Sequence, residues 1–260
     1  MKSLLRAAAL IVSLCAVASA GERDWPEGRR AAIALTYDDA LASQLDVALP
    51  QLDEAGLKAT FFLSRLSEPA RIARWRGAAA AGHELANHTL FHPCARGAFE
   101  MADRYNNENY TIETMLDEIR MMNAFLHAID GRVRRTYATP CGQTVVGDGD
   151  YIETLRASGL VTAARHVGPL SDEPVDPFNM PGEFFPETVT GEALIAWVER
   201  VVESGGFGVM GFHGVGGDYL PVTAEAHQAL VDYLRAHEDD IWVVPFGELV
   251  DYLTETAPAR

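Results

Sequence analysis

Short apolar runs of strand length recur along this chain, each followed by a helical or polar stretch, and that alternation points to a parallel sheet with its helices outside. Residues 31–37 (AAIALTY) form the first run, and 45–55 reads as a helix that Gly56 stops. Further strands are expected at 59–63, 84–87, 136–139, 161–164, 207–212 and 241–244. Between them lie helical stretches at 69–81, 151–158, 191–204 and 224–236. The clearest helix runs from Thr111 to Gly131, where Ile112, Met115, Leu116, Ile119, Met122 and Leu126 fall on one face. Residues 93–110 read as a polar loop over one face of the fold, and 166–187, rich in Pro, Asp and Gly, as irregular. The fold class is therefore α/β, and about seven strands alternating with helices favour a distorted (β/α) barrel over an open sheet.

The first twenty residues stand apart from this pattern. Lys2 and Arg6 precede an apolar run ending at Val17, then Ala18-Ser19-Ala20, the composition of a cleaved leader. Residues 1–20 are accordingly expected to be a signal peptide and 21–260 a single domain, exported to the periplasm or secreted. The apolar run is shorter than the roughly 20 residues a membrane span needs, so no span is expected. Without the leader, 19 bases stand against 37 acids, a formal charge of −18. Such a balance argues against nucleic-acid partners and anionic surfaces. Only Cys94 and Cys141 remain beyond the leader. An oxidising compartment permits them to pair, but two cysteines alone fix neither pairing nor two free thiols.

Three groups of polar residues each follow an apolar strand. Asp38-Asp39 closes the first; His88 and His92, with three residues between them, follow the third; His213, trailed by Gly214-Val-Gly-Gly217, follows 207–212. Each is weak alone: an aspartate after a strand commonly caps the next helix, and a histidine is often just a satisfied core residue. In alternating barrels, however, the C-terminal strand ends converge on one rim, which makes the three groups one candidate site. Asp39, His88 and His92 then form a carboxylate and two imidazoles, the three-ligand set of a catalytic zinc with one position left for water. Co2+, Mn2+ or Ni2+ would accept similar ligands. Asp38 is the candidate base for that water, and His213 the acid that protonates a leaving group.

At this point the chain resembles the polysaccharide deacetylases, the NodB-homology or carbohydrate esterase family 4 proteins. Their Thr-Phe-Asp-Asp-Gly motif is similar to Thr36-Tyr37-Asp38-Asp39-Ala40, their His-Ser/Thr-x-x-His motif to His88-Thr89-Leu90-Phe91-His92, and their strand ending in His to Phe212-His213. The resemblance implies the same assignments: Asp38 as base, Asp39, His88 and His92 on zinc, His213 as acid, and an acetylated glycan as substrate.

Two departures stand out. The family's Arg-x-Pro-aromatic-Gly is Ala138-Thr139-Pro140-Cys141-Gly142 here, without the arginine and the aromatic. The backbone N–H of Cys141 can still be the oxyanion donor, which needs no side chain. Arg165, after the fifth strand, is the candidate substitute for the arginine, against the alternative of a structural arginine. The acidic residue that tunes the late histidine is not recognisable, Asp172 and Asp176 being the nearest acids. Tyr105, Tyr110 and Tyr219 are candidates for stacking on sugars, and His227 and His237 read as exposed. The function expected is zinc-dependent removal of N-acetyl groups from amino sugars of a polysaccharide or oligosaccharide. The alternatives are an O-acetyl esterase of acetylxylan type and a catalytically impaired carbohydrate-binding homologue. No Gly-x-Ser-x-Gly elbow supports a serine hydrolase.

Overall fold

A computed structural model describes residues 23–169 and 175–256. The expected leader and Asp172 lie outside the described residues. Seven parallel strands close into a ring: β1 (Ala31–Asp38), β2 (Thr60–Leu63), β3 (Glu84–Asn87), β4 (Thr136–Ala138), β7 (Ala163–Val167), β8 (Met180–Phe184) and β9 (Phe207–Phe212), which pairs back onto β1. Helices α1 (Leu49–Ala55), α2 (Pro69–Ala80), α3 (Ile112–Asp130), α4 (Ile152–Ser158), α5 (Gly191–Ser204) and α6 (Ala224–Ala236) surround it. A two-stranded hairpin, β5 (Val145–Val146) with β6 (Gly149–Asp150), sits between β4 and α4.

The ring is not built from the seven strands expected. The run at 241–244 forms β10 (Ile241–Val243), which among the described residues pairs only with Ala31–Ile33, the stretch of β1 that β2 does not reach. Its place in the ring is taken by β8, inside the segment read as irregular. Pro181 and Gly182 hide β8, since both are poor strand residues in isolation. Pairing with β7 on one side and β9 on the other supplies what local preference lacks. Sequence reading also passed over α7 (Phe246–Glu255), whose Phe246, Leu249, Val250 and Leu253 are buried at helical spacing.

Side-chain size explains the layering. All eight residues of β1 are buried, as a strand covered on both faces requires. Ile33, Leu35 and Tyr37 face the helices, packing with residues such as Leu52, Trp75, Trp197 and Leu230. Ala32 and Ala34 face the other way and share a second cluster with Phe62, Ala86, Ala138, Ala163, Met180 and Val209. Alanines thus take five of these eight inward positions, with Phe62, Met180 and Val209 filling the remaining space, while the large residues of β1 pack outside, where each fully buried aliphatic side chain stabilises the fold by roughly 1.5–3 kcal/mol.

His227, expected to be exposed, is fully buried on α6. Its Nε2 lies 2.6 Å from the Tyr37 hydroxyl and its Nδ1 2.5 Å from Gln51 Oε1, so the neutral ring with a proton on Nδ1 satisfies both neighbours. A helical histidine at a core-facing position has the same local pattern as an exposed one, and only these partners distinguish them. Burial pushes its pKa down to about 3. The unfolded chain takes up that proton near the ordinary histidine value of roughly 6.5, so between the two values the unfolded state binds more protons and stability falls as pH falls. Urea titrations at pH 7 and 4.5 are expected to show His227→Gln less stable than wild type at pH 7 but less acid-sensitive. An equally steep acid dependence in the variant would contradict the assignment.

Candidate metal centre and catalytic pocket

The barrel's period of two explains which side chains meet at its mouth. Ala34 and Thr36 alternate inward along β1, and the next inward position is Asp38. Counting by twos from interior Ala86, Ala163, Met180 and Val209 gives His88, Arg165, Phe184 and His213. One rim therefore receives the ends of five different strands.

Asp39 Oδ1 lies 3.2 Å from His92 Nε2 and 3.5 Å from His88 Nε2, and the two Nε2 atoms are 3.1 Å apart. Ligands around a tetrahedral zinc at roughly 2.0–2.1 Å stand about 3.3 Å from one another, so this donor set fits one such ion. His88 Nδ1 is 2.8 Å from the Ala138 carbonyl, an outer contact that fixes the tautomer and turns Nε2 toward the other two donors. Burial, with some help from the charge of His88, pushes His92 down to about 4, which keeps it a neutral ligand. Burial pushes Asp39 up, but the imidazoles of His88, His92 and His213 and the Tyr219 hydroxyl together hold it below the usual carboxylate value.

The loop carrying the two histidines is conformationally costly, with Thr89 at φ +63° and His92 at φ +53°. Buried side chains hold it. Asn87 Oδ1 accepts from Thr89 N at 2.8 Å, Thr89 Oγ1 accepts from His92 N at 2.9 Å, and Glu118 on α3 accepts from Phe91 N at 3.1 Å. Tyr110 is buried and donates to the same Glu118, which rules it out as a sugar platform. Ala40, standing where the family motif has glycine, has φ +55°. A side chain in that region costs roughly 1–2 kcal/mol.

Asp38 is buried, and a single nitrogen, Arg165 Nη2, donates to both its oxygens at 2.7 and 2.6 Å. The guanidinium lies between the rings of Phe62 and Phe184, 4.9 Å from each centroid. Two glycines make room for this arrangement. A Cβ on Gly182 would meet Arg165 Cδ at 2.7 Å, and one on Gly211 would meet the Phe184 ring at 2.4 Å. His213 rests 5.0 Å from the Phe184 ring and 5.2 Å from Tyr219, with Nε2 3.8 Å from Asp39 Oδ2. Burial lowers its pKa, partly offset by Asp38 and Asp39. Gln44, unnoticed in the sequence, donates through Nε2 to the carbonyls of Asp38 at 2.5 Å and His213 at 3.0 Å, tying the two loops together.

Cys141, at φ +53°, lines the same pocket, a cavity of about 830 Å3 walled also by Leu41, Phe99, Val167 and Leu220. Cys94 and Cys141 form a disulfide with Cα atoms 5.9 Å apart. The bond joins the loop after His92 to the loop after β4. Although both sulfurs lie close to His92, their bond to each other removes them as thiolate ligands. The structure thus brings Asp38, Asp39, His88, His92, Cys141, Arg165 and His213 to one place. Asp176 is elsewhere, paired with Arg156 at 2.9 Å.

A closed seven-stranded (β/α) barrel with two imidazoles and a carboxylate converging at its mouth makes a candidate divalent-metal centre, consistent with metal-dependent deacetylase chemistry. The sequence pattern of the family described as "Polysaccharide deacetylase" matches residues 26–162. The chain belongs to that family. It is 23% identical over 249 residues to a gellan lyase from Bacillus sp., a match that spans 88% of this chain but only a tenth of that relative's length. Its fold is similar to that of the CE4 domain of a multidomain xylanase from the hindgut metagenome of Trinervitermes trinervoides, with a TM-score of 0.56, 18% identity, and 87% of this chain and 92% of that one covered. It is also similar to the catalytic domain of a peptidoglycan N-acetylglucosamine deacetylase from Eubacterium rectale, with a TM-score of 0.55, 20% identity, and 82% and 88% covered. No helix among the described residues is long and apolar enough to cross a membrane.

Proposed function

We propose that the protein hydrolyses N-acetyl groups on amino sugars of a polysaccharide or oligosaccharide, with Asp39, His88 and His92 holding zinc. The observation that carries this reading is the convergence of three donors from the loops after β1 and β3 within ligand distance of one another, beside a carboxylate that is not one of them. Zinc bound there would supply a water of lowered pKa and polarise the acetyl carbonyl. Asp38 is placed to accept a proton from water, Arg165 fixes the orientation of its carboxylate, and the Cys141 N–H would donate to an acetyl oxygen that gains charge. His213, on the opposite side of Asp39, delivers a proton to the departing nitrogen. An amine cannot leave without that proton, which is why the amide is placed first.

The O-acetyl ester is the second reading, since it presents the same carbonyl, and the similarity to a domain of a xylanase favours it. Export is part of the proposal, supported by the leader-like first twenty residues and by the Cys94–Cys141 disulfide, a bond characteristic of oxidising compartments.

The test is acetate release by the zinc-reconstituted protein from N-acetylglucosamine oligomers and from O-acetylated xylan, with chelated protein and His92→Ala as controls. Metal-dependent release from the first is expected, and release from xylan alone would replace amide by ester. Zinc bound stoichiometrically with no release from either would favour the binding homologue, and failure to bind zinc would sink the site.

A further inference from the structure

The two oxygens of Asp39 face different neighbours. Oδ1 is the atom nearest His88 and His92, and its other side-chain contact is the Ser64 hydroxyl at 3.5 Å, the outer limit of a hydrogen bond. Oδ2 accepts from the Tyr219 hydroxyl and lies 3.8 Å from His213 Nε2. Besides the imidazoles, Tyr219 is thus the only side chain among the described residues with a short bond to this carboxylate. The Asp39 N–H donates to the Phe62 carbonyl at 3.0 Å, which fixes the backbone but not the rotation of the carboxylate. That terminal torsion is intrinsically broad, so its setting is left to the partners of the two oxygens.

Tyr219 reaches Asp39 from a loop that folds back on itself. Gly214 N donates to the Tyr219 carbonyl at 3.2 Å, Val222 N to the Gly214 carbonyl at 3.0 Å and Gly216 N to the Val222 carbonyl at 2.8 Å. Gly214 permits the close approach, since a Cβ there would run into the Gly217 carbonyl oxygen. The loop is also tied to the segment after Asp39: Asp218 Oδ2 accepts from Ser43 N at 2.6 Å, and Ser43 Oγ accepts from Val215 N at 3.2 Å. Asp218 and Leu220, on either side of Tyr219, have φ +63° and +45°, a region that side chains rarely adopt. The turn they make directs the tyrosine between them over the metal centre, where its ring lies 5.2 Å from that of His213. The glycine-rich stretch after His213 therefore serves to bring a tyrosine back onto the loop after β1.

We propose that Tyr219 is a positioning residue for the metal, its hydroxyl holding Asp39 Oδ2 so that Oδ1 is turned toward His88 and His92; the inference rests on those three residues being the metal ligands. A phenol suits this place because it donates one bond and carries no charge. An arginine or lysine would hold the same oxygen but set a positive charge against a divalent cation. Without the hydroxyl, Oδ2 is free to swing toward His213, and the ligand set is no longer organised before the ion arrives.

The test is the zinc dissociation constant of the full-length wild type and Tyr219→Phe, measured by competition with a chromophoric chelator at pH 7, beside the urea midpoint of each protein stripped of metal. Phenylalanine keeps the ring against His213 and removes the hydroxyl alone. Zinc is expected to bind about tenfold more weakly to Tyr219→Phe, the lower end of the loss when an outer partner of a metal ligand is removed, with the metal-free midpoint unchanged. The visible absorption of the cobalt-loaded proteins, which follows ligand geometry, is expected to differ between them. A lower metal-free midpoint with zinc affinity unchanged makes Tyr219 a structural residue and overturns the role. Wild type that takes up no zinc fails the metal reading and this inference with it, whereas zinc bound equally well by both proteins overturns this inference alone.

Discussion

Asp38→Asn is expected to lower metal-dependent acetate release by about 10²–10⁴-fold, the usual contribution of a positioned general base, while zinc stays bound at one equivalent. The two halves of this prediction follow from different distances. Asp38 Oδ2 is 3.8 Å from His88 Nε2, farther from that donor than any of the three ligand atoms is from another, so removing its charge leaves the ligand set whole. Each carboxylate oxygen already accepts from Arg165, yet a carboxylate offers about four lone-pair sites, and the remainder are free to take a water proton. Asparagine keeps the shape and one acceptor oxygen but is no base. Acetate release and metal content measured on the same sample decide the matter. A rate within threefold of wild type would remove Asp38 from the mechanism, and loss of zinc would make it a ligand.

Much of this site was legible because its residues follow strands of unmistakable apolar character, and parallel barrels place all such ends on one rim. Asp38, Asp39, His88, His92 and His213 needed only that argument. What sequence reading missed lies in residues whose role depends on packing across the fold. Gln44 and Glu118 sit on helical segments and look like ordinary polar surface residues, yet each is buried and bonded to loops distant in sequence. Phe184 escaped because β8 did: Pro181 and Gly182 argue locally against a strand, and only the neighbouring β7 and β9 impose one. Gly182 is there for the bulk of Arg165, and Gly211 for that of Phe184, a pairwise fit that no single-strand pattern displays. The pairing of Cys94 with Cys141 was open for the same reason, since their separation of 47 residues says nothing of the 5.9 Å between their Cα atoms.

Arg165→Ala is expected to cost about 3–5 kcal/mol of folding stability, as breaking a buried ion pair by deleting one partner does, and to reduce turnover with it. The reason is that Asp38 is 4% exposed and has Arg165 as its only side-chain donor among the described residues, so the deletion leaves a buried carboxylate uncompensated. Arg165→Lys retains the charge but is expected to recover only part of the loss, because an ammonium lacks the flat surface that fits between Phe62 and Phe184. A purely structural arginine would predict the same stability loss, so a second variant is needed. Ala138, where the family motif carries its arginine, is the register partner of Arg165 on the adjacent strand and also points into the barrel. The two positions sit at one level of the ring, so a guanidinium from either strand reaches the same carboxylate. Adding Ala138→Arg to Arg165→Ala is therefore expected to restore turnover by more than tenfold over the single variant and to regain stability with it, whereas Arg165→Met, which fills space without charge, leaves Asp38 uncompensated and is expected to restore neither beyond the packing lost in Arg165→Ala. Urea unfolding and acetate release on all four proteins separate packing from charge. If Arg165→Met releases acetate at the wild-type rate, the guanidinium has no part in orienting Asp38.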